Sequence, residues 1–354
     1  MTFDVARTPG SSMPRLPRQN NFDLLRLLFA TTVFLYHGFA LTNNPHLSVL
    51  GAYTDPALAV QGFFVISGFL IVMSYEQSSG LGQYIGKRLR RIYPAYSVVI
   101  IVAALLGVLI SSVPASRYFG YGLIKYLTAN LGFMNWLHPE LPGVFATNRL
   151  NAVNGSLWTI KVEVMFYLFV PVLVAWRWRF NPAVVMTAIY VASIVYYEWF
   201  SSRGEVHAAV RLPGQLSFFV SGALIYYYFD FFRSHAWKLA LLAILGLVIA
   251  GIFGWYVFYP MSVAIMVAYL GACIRYLGNF ARYGDLSHRV YIVHFPVLQT
   301  LIAMGYFARA PYPALAAAAV IVALLPLLSW HFVEKRFLYR TSHYAHSETE
   351  RKKA

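Results

Sequence analysis

A chain of 354 residues that is 59% hydrophobic and only 12% charged, with a mean hydropathy of +0.58, has too little polar surface to coat a water-soluble globule, and reads as an integral membrane protein. The net charge of +15 calls for no nucleic acid, because basic loops set membrane topology and attract anionic headgroups. One cysteine, Cys273, excludes an intrachain disulfide and the Cys-based zinc patterns.

Residues 1–20 are polar, basic and Pro-containing, with no small-residue cleavage pattern, so no removable signal peptide is expected. The first apolar span covers residues 24–42, directly after Asp23. Arg26 and His37 stand eleven residues apart, three helical turns, which places the imidazole roughly 16 Å deeper on the same face. An ionisable group near mid-bilayer costs on the order of 3 kcal/mol when charged, so it tends to line a cavity or pathway rather than face lipid. The pair reads either as a snorkelling arginine with a histidine bonded to a neighbouring helix, or as part of a site.

The second span is 57–75 and the third 93–112, the latter entered through Gly86-Lys87-Arg88-Leu89-Arg90-Arg91-Ile92-Tyr93-Pro94. In a helix Arg88 and Arg91 share a face and can hold a phosphorylated ligand with forked hydrogen bonds. The same run also reads as a basic cytoplasmic boundary. Residues 120–134 are short and carry Lys125 and Asn130, the pattern of a re-entrant or interfacial helix.

The next span, 157–175, opens with Gly155-Ser156-Leu157-Trp158-Thr159-Ile160-Lys161-Val162-Glu163-Val164-Met165-Phe166-Tyr167. Entered from outside, it puts Glu163 roughly 9 Å below the outer surface and within about a turn of the depth of His37. A carboxylate and an imidazole at one depth can act as a base and its orienting partner, or as a structural pair between helices.

Further spans follow at 183–199, 213–229, 238–252, 256–274, 290–308 and 313–330. The segment Gly284-Asp285-Leu286-Ser287-His288-Arg289-Val290-Tyr291-Ile292-Val293-His294-Phe295-Pro296 sets Tyr291 and His294 three residues apart on one face. Either alone reads as an interfacial anchor. The expected fold is therefore all-α, a polytopic membrane protein of about ten transmembrane helices. Lys and Arg gather on the loops that are cytoplasmic if the N-terminus is inside, so both termini are expected in the cytoplasm. One membrane domain, 21–338, lies between polar segments 1–20 and 339–354; His343 and His346 belong to the latter and read as solvated.

In order along residues 20–335, the Asp-x-Leu-Arg helix ending in Tyr-His, Gly62 to Leu70 (Gly-Phe-Phe-Val-Ile-Ser-Gly-Phe-Leu), the Arg-x-x-Arg-Ile-Tyr-Pro turn, the Ser-Leu-Trp-x-x-x-x-Glu-x-x-Phe-Tyr helix and the Ser-x-x-x-Tyr-x-x-His-x-Pro segment resemble the acyltransferase 3 family of integral membrane acyltransferases. The resemblance implies transfer of an acyl group, most often acetyl, from a cytoplasmic acyl-CoA co-substrate to a hydroxyl of a cell-surface or exported glycan or similar acceptor. It implies His37 as catalytic base, Glu163 as its partner or a second acid/base, and Arg26, Arg88 and Arg91 as donor-positioning groups. Asp23, Trp158, Tyr167, Tyr291 and His294 are further pocket candidates. No tightly bound cofactor and no metal is expected. The setting implied is a bacterial cytoplasmic (inner) membrane, with polysaccharide-assembly proteins as possible partners.

Two departures stand out. Glu334-Lys335-Arg336 replaces the Glu and nearby Pro of many relatives, so Glu334 receives no role, and no extracytoplasmic hydrolase-like domain is expected. The long loop from Pro114 to Asn154, with Trp136, His138, Glu140 and Arg149, is where acceptor selection is expected. A neutral imidazole suits removal of a hydroxyl proton near neutral pH. The competing class is a proton-coupled transporter of a lipid-linked or anionic solute, with His37 and Glu163 as a relay.

Overall fold

The computed structural model describes residues 16–17, 19–177, 179–280 and 285–332, and the described residues contain helices and no strands. The bulk of segment 1–20, the tail 339–354, Gly284 and Glu334 lie outside the described residues. The principal helices are α1 (Phe22–Thr42), α2 (Pro56–Glu76), α3 (Leu81–Leu106), α4 (Tyr121–Leu131), α5 (Trp158–Arg177), α6 (Pro182–Ser201), α7 (Leu212–Tyr227), α8 (Ala236–Phe253), α9 (Tyr259–Ala272), α10 (Leu286–Ala303) and α11 (Pro311–Phe332).

Among the described residues, seven helical stretches, containing α1, α2, α3, α5, α6, α7 and α8, are long and apolar enough to cross a membrane. Two further apolar stretches, Tyr256–Ala272 and Pro311–Leu327, are shorter. α10 is different in kind: Ser287, His288, Arg289, His294 and Gln299 all sit on it and all are buried. A helix whose polar side chains turn inward carries a site rather than a lipid face. α4 has 11 residues, about 16 Å of helix against a hydrocarbon core of about 30 Å, so it does not cross. α3 begins at Leu81, well before the expected start at residue 93, so the arginine run lies inside a helix.

Local chemistry accounts for the helix ends. Asp55 caps α2 by accepting from Leu58 N, with Pro56 in the first turn, the arrangement that satisfies an orphan donor and presets φ. Asn43 ends α1 in the left-handed region at φ 49°, a conformation that Asn tolerates better than most residues.

α2 lies at the centre of the bundle, in contact with α1, α5, α7 and α9, while α10 packs along α1 and is flanked by α3 and α11. The tightest crossing joins α2 and α7. A Cβ added at Gly68 would run into the Phe219 carbonyl oxygen, and one added at Gly222 into that of Val65. Small residues allow such backbone approach, which substitutes for the hydrophobic drive that lipid removes. Beside the crossing, Phe166 stacks on Phe219 at 4.2 Å between centroids and meets Phe64 edge-on at 5.2 Å. Large apolar side chains cover the outside; on α8 they include the exposed Leu241, Leu242, Leu245 and Ile252.

Candidate active site

The candidate residues gather along the seam where α1 packs against α10, with α2, α3 and α5 closing the sides. At one end a single carboxylate organises three helices. Asp285 Oδ2 accepts from Arg26 Nη1 at 2.8 Å and from Arg91 at 2.8 Å (Nη2) and 3.2 Å (Nε). Its other oxygen caps α10, accepting from Ser287 Oγ at 2.7 Å and His288 N at 3.2 Å. Asp285 thus ties α1 and α3 to the start of α10, and two guanidiniums on one carboxylate leave a surplus of positive charge.

Arg88 adds to that surplus. It is 8% exposed, and its Nε and Nη1 are buried without a hydrogen-bond partner among the described residues. Its guanidinium lies 5.9 Å from the Tyr84 ring centroid and 5.7 Å from that of Tyr167, so ring faces meet part of the charge. N–H groups left unpaired at such a place are costly unless something else engages them.

Farther along the seam the two histidines meet. His37 Nδ1 lies 2.9 Å from His294 Nε2, with ring planes 13° apart. His294 is fully buried, and its Nδ1 faces the Val290 carbonyl at 3.3 Å. A carbonyl accepts only, so the His294 proton belongs on Nδ1 and its Nε2 is the acceptor. His37 then donates from Nδ1, which leaves the lone pair of a neutral His37 on Nε2. That is the state a general base requires.

Glu163 sits elsewhere. It accepts from Tyr167 Oη at 2.6 Å and lines a cavity of about 30 Å³ with Arg26, Thr159, His288, Tyr291 and Phe63. Tyr291 is fixed by Thr159, whose Oγ1 donates to its hydroxyl at 2.9 Å. The carboxylate partner expected for His37 is therefore replaced by a second imidazole, and Glu163 belongs with the arginine end. Trp158 is 37% exposed, at the start of α5, and Asp23 lies in the first turn of α1 ahead of Arg26.

Two residues escaped the sequence reading: Asp285 and His288. A signal for the first existed, since arginines on two buried helices demand a carboxylate and Asp285 stands three residues before His288, where an N-cap belongs.

Prolines shape the same region. Pro94, Pro171, Pro296 and Pro326 lie inside α3, α5, α10 and α11, and each removes the N–H that would bond the carbonyl four residues earlier. Side chains take two of those carbonyls: Tyr84 Oη donates to Tyr167 O at 3.1 Å, and Asn154 Nδ2 to Ile292 O at 2.7 Å. The loop before α5 is further tied to α10 by Gln299 Nε2, which donates to Leu150 O at 2.6 Å and Ala152 O at 2.9 Å.

A family model described as an acyltransferase domain matches residues 19–330. The chain is 30% identical over 337 residues to a protein named O-acetyl transferase from Shigella phage Sf6, a match covering 92% of this chain and 98% of that one. It is 27% identical over 345 residues to Nodulation protein 10 of Rhizobium leguminosarum bv. viciae, covering 90% and 92%. A shorter match, 28% over 163 residues and 45% of this chain, is to the acyltransferase MdmB of Streptomyces mycarofaciens. No solved structure matches the chain.

Proposed function

The chain belongs to the acyltransferase 3 family of membrane acyltransferases, and from that premise we propose that it is an O-acyltransferase that moves an acyl group, most simply acetyl, from acyl-CoA to a hydroxyl of an exported or surface glycan. The observation that carries the reading is the His37–His294 contact at 2.9 Å, which leaves His37 Nε2 as acceptor and a second imidazole holding the ring in place. In the step proposed, Nε2 takes the acceptor's hydroxyl proton as its oxygen attacks the thioester carbonyl. The C–S bond breaks, and the proton ends on the coenzyme thiolate, giving an ester and a free thiol.

The arginine end suits the donor. The buried, unpartnered N–H groups of Arg88 offer charge-assisted hydrogen bonds to phosphate, while Arg26 and Arg91, engaged by Asp285, add positive potential. About 16 Å of helix separates Arg26 from His37, a span for the pantetheine arm. With both termini in the cytoplasm and α9, α10 and α11 crossing with the seven longer stretches, the arginine end faces the cytoplasm, where acyl-CoA is made. The membrane in this reading is a bacterial inner membrane.

The test is thiol release by purified, detergent-solubilised protein given acetyl-CoA, with and without acceptor, beside a His37→Ala variant of matched thermal midpoint. Release by the wild type and its loss in the variant support the reading. An equal rate in a folded variant removes His37 from the chemistry.

A further inference from the structure

Beyond the histidine pair, the described residues hold a second place where a reacting or bridging atom can sit. The cavity beside Glu163 has a volume of about 30 Å³, above the roughly 10–15 Å³ that one buried water requires. Its polar walls are unlike one another: a carboxylate and the Thr159 hydroxyl from α5, the Arg26 guanidinium from α1, the Ser67 hydroxyl from α2, and His288 and Tyr291 from α10. His288 is 6% exposed, and its Nε2 is buried without a hydrogen-bond partner among the described residues. Glu163 and Arg26 line the cavity with it, Asp285 accepts from its backbone N–H, and the charge of Arg91 also acts on it.

These walls select the chemistry of an occupant. A phosphate or carboxylate is repelled by Glu163, and a metal cation by Arg26. An O–H group meets these requirements, because it donates to the carboxylate while a lone pair accepts from His288 Nε2–H; water, with a second proton, also serves the tautomer in which Nε2 is the acceptor. We infer that this cavity binds one hydroxyl oxygen between Glu163 and His288, and that His288 acts in the site by holding it. The inference rests on the acyltransferase reading for its role in turnover, though not for the binding itself. Two sources share the chemistry: a water molecule, or the hydroxyl of an acceptor reaching in from the seam.

The experiment compares wild type, H288L, H288Q, E163Q and the H288L/E163Q pair in detergent. It reads thiol release from acetyl-CoA, alone and with glycerol as a hydroxyl probe, together with thermal midpoints. The expected result is at least a tenfold fall in turnover for H288L and for E163Q, with KM for acetyl-CoA within twofold. The double variant is then no slower than the worse single, and H288Q, which keeps a polar group at the cavity, is faster than H288L. A fall confined to release without glycerol identifies the oxygen as water; a raised KM for glycerol identifies an acceptor hydroxyl. Wild-type rates in H288L, or losses that multiply in the double variant, overturn the inference.

Thermal midpoints need no turnover. A shift for the double variant unequal to the sum of the single shifts supports a shared oxygen, and additive shifts count against it. Wild type that releases no thiol yet shows that coupling would remove the acyltransferase reading and leave the oxygen site standing.

Discussion

His37 and His294 meet edge to edge with nearly parallel ring planes, Nδ1 to Nε2 at 2.9 Å, although 257 positions separate them in the chain. Since the Val290 carbonyl holds the His294 proton on Nδ1, the contact works in one direction and leaves His37 Nε2 as the acceptor. Replacing either ring by alanine is expected to lower acyl transfer by ~10²-fold or more, the range general-base removal commonly gives. His37→Ala removes the base and His294→Ala its support, so the double variant should be little slower than His37→Ala. Steady-state thiol release on the four proteins checks this.

Arg88 separates binding from stability. A buried charge that lacks hydrogen-bond partners costs the fold energy, so Arg88→Leu is expected to keep or raise the thermal midpoint. If phosphate is its partner, the same change raises KM for acyl-CoA by about 10-fold or more, the value of one or two charge-assisted bonds. A thermal melt and a donor titration on one preparation decide the matter.

Asp285 predicts the opposite pattern. Its removal leaves Arg26 and Arg91 facing each other without their shared carboxylate and α10 without its cap, so Asp285→Ala should cost about 3–5 kcal/mol. The corresponding fall in midpoint should shrink when Arg91→Leu is added, because one stranded charge goes with it.

The crossing of α2 and α7 tolerates no side chain. Gly68→Ala and Gly222→Ala place a Cβ against backbone oxygen, which cannot rotate away as a side chain can. Each should cost at least the ~1–3 kcal/mol of ordinary overpacking. Gly82→Ala, where nothing lies within 4 Å, is the control and should melt as wild type does.

Which residues share a helix face was legible in the sequence, and neighbours were not. Helical spacing placed Arg26 and His37 on one face of α1, and Arg88 with Arg91 on one face of α3, because 3.6 residues per turn requires it. The Tyr291–His294 segment was marked for the same reason. Periodicity carries no information about which helix lies opposite, so His37 was matched to Glu163 by depth when packing gives it His294. Asp285 stayed hidden because it precedes the helix, outside any repeating pattern, and His288 because one more imidazole beside Tyr291 and His294 has no distinctive spacing. α9, α10 and α11 show the limit of apolarity as a guide: the first and third are short in apolar length, and α10 trades hydropathy for buried polar groups.

The bond from Asn154 to the Ile292 carbonyl makes the loop a structural part of α10. In water a stray carbonyl finds a solvent donor within moments, but in hydrocarbon it must wait for one supplied by the chain. The turn between Tyr291 and His294 is therefore completed by a segment 138 positions away, and the aim of the His294 ring depends on the approach to α5. A chain truncated or stalled before that approach would carry every proposed site residue of α1 and still lack a working base.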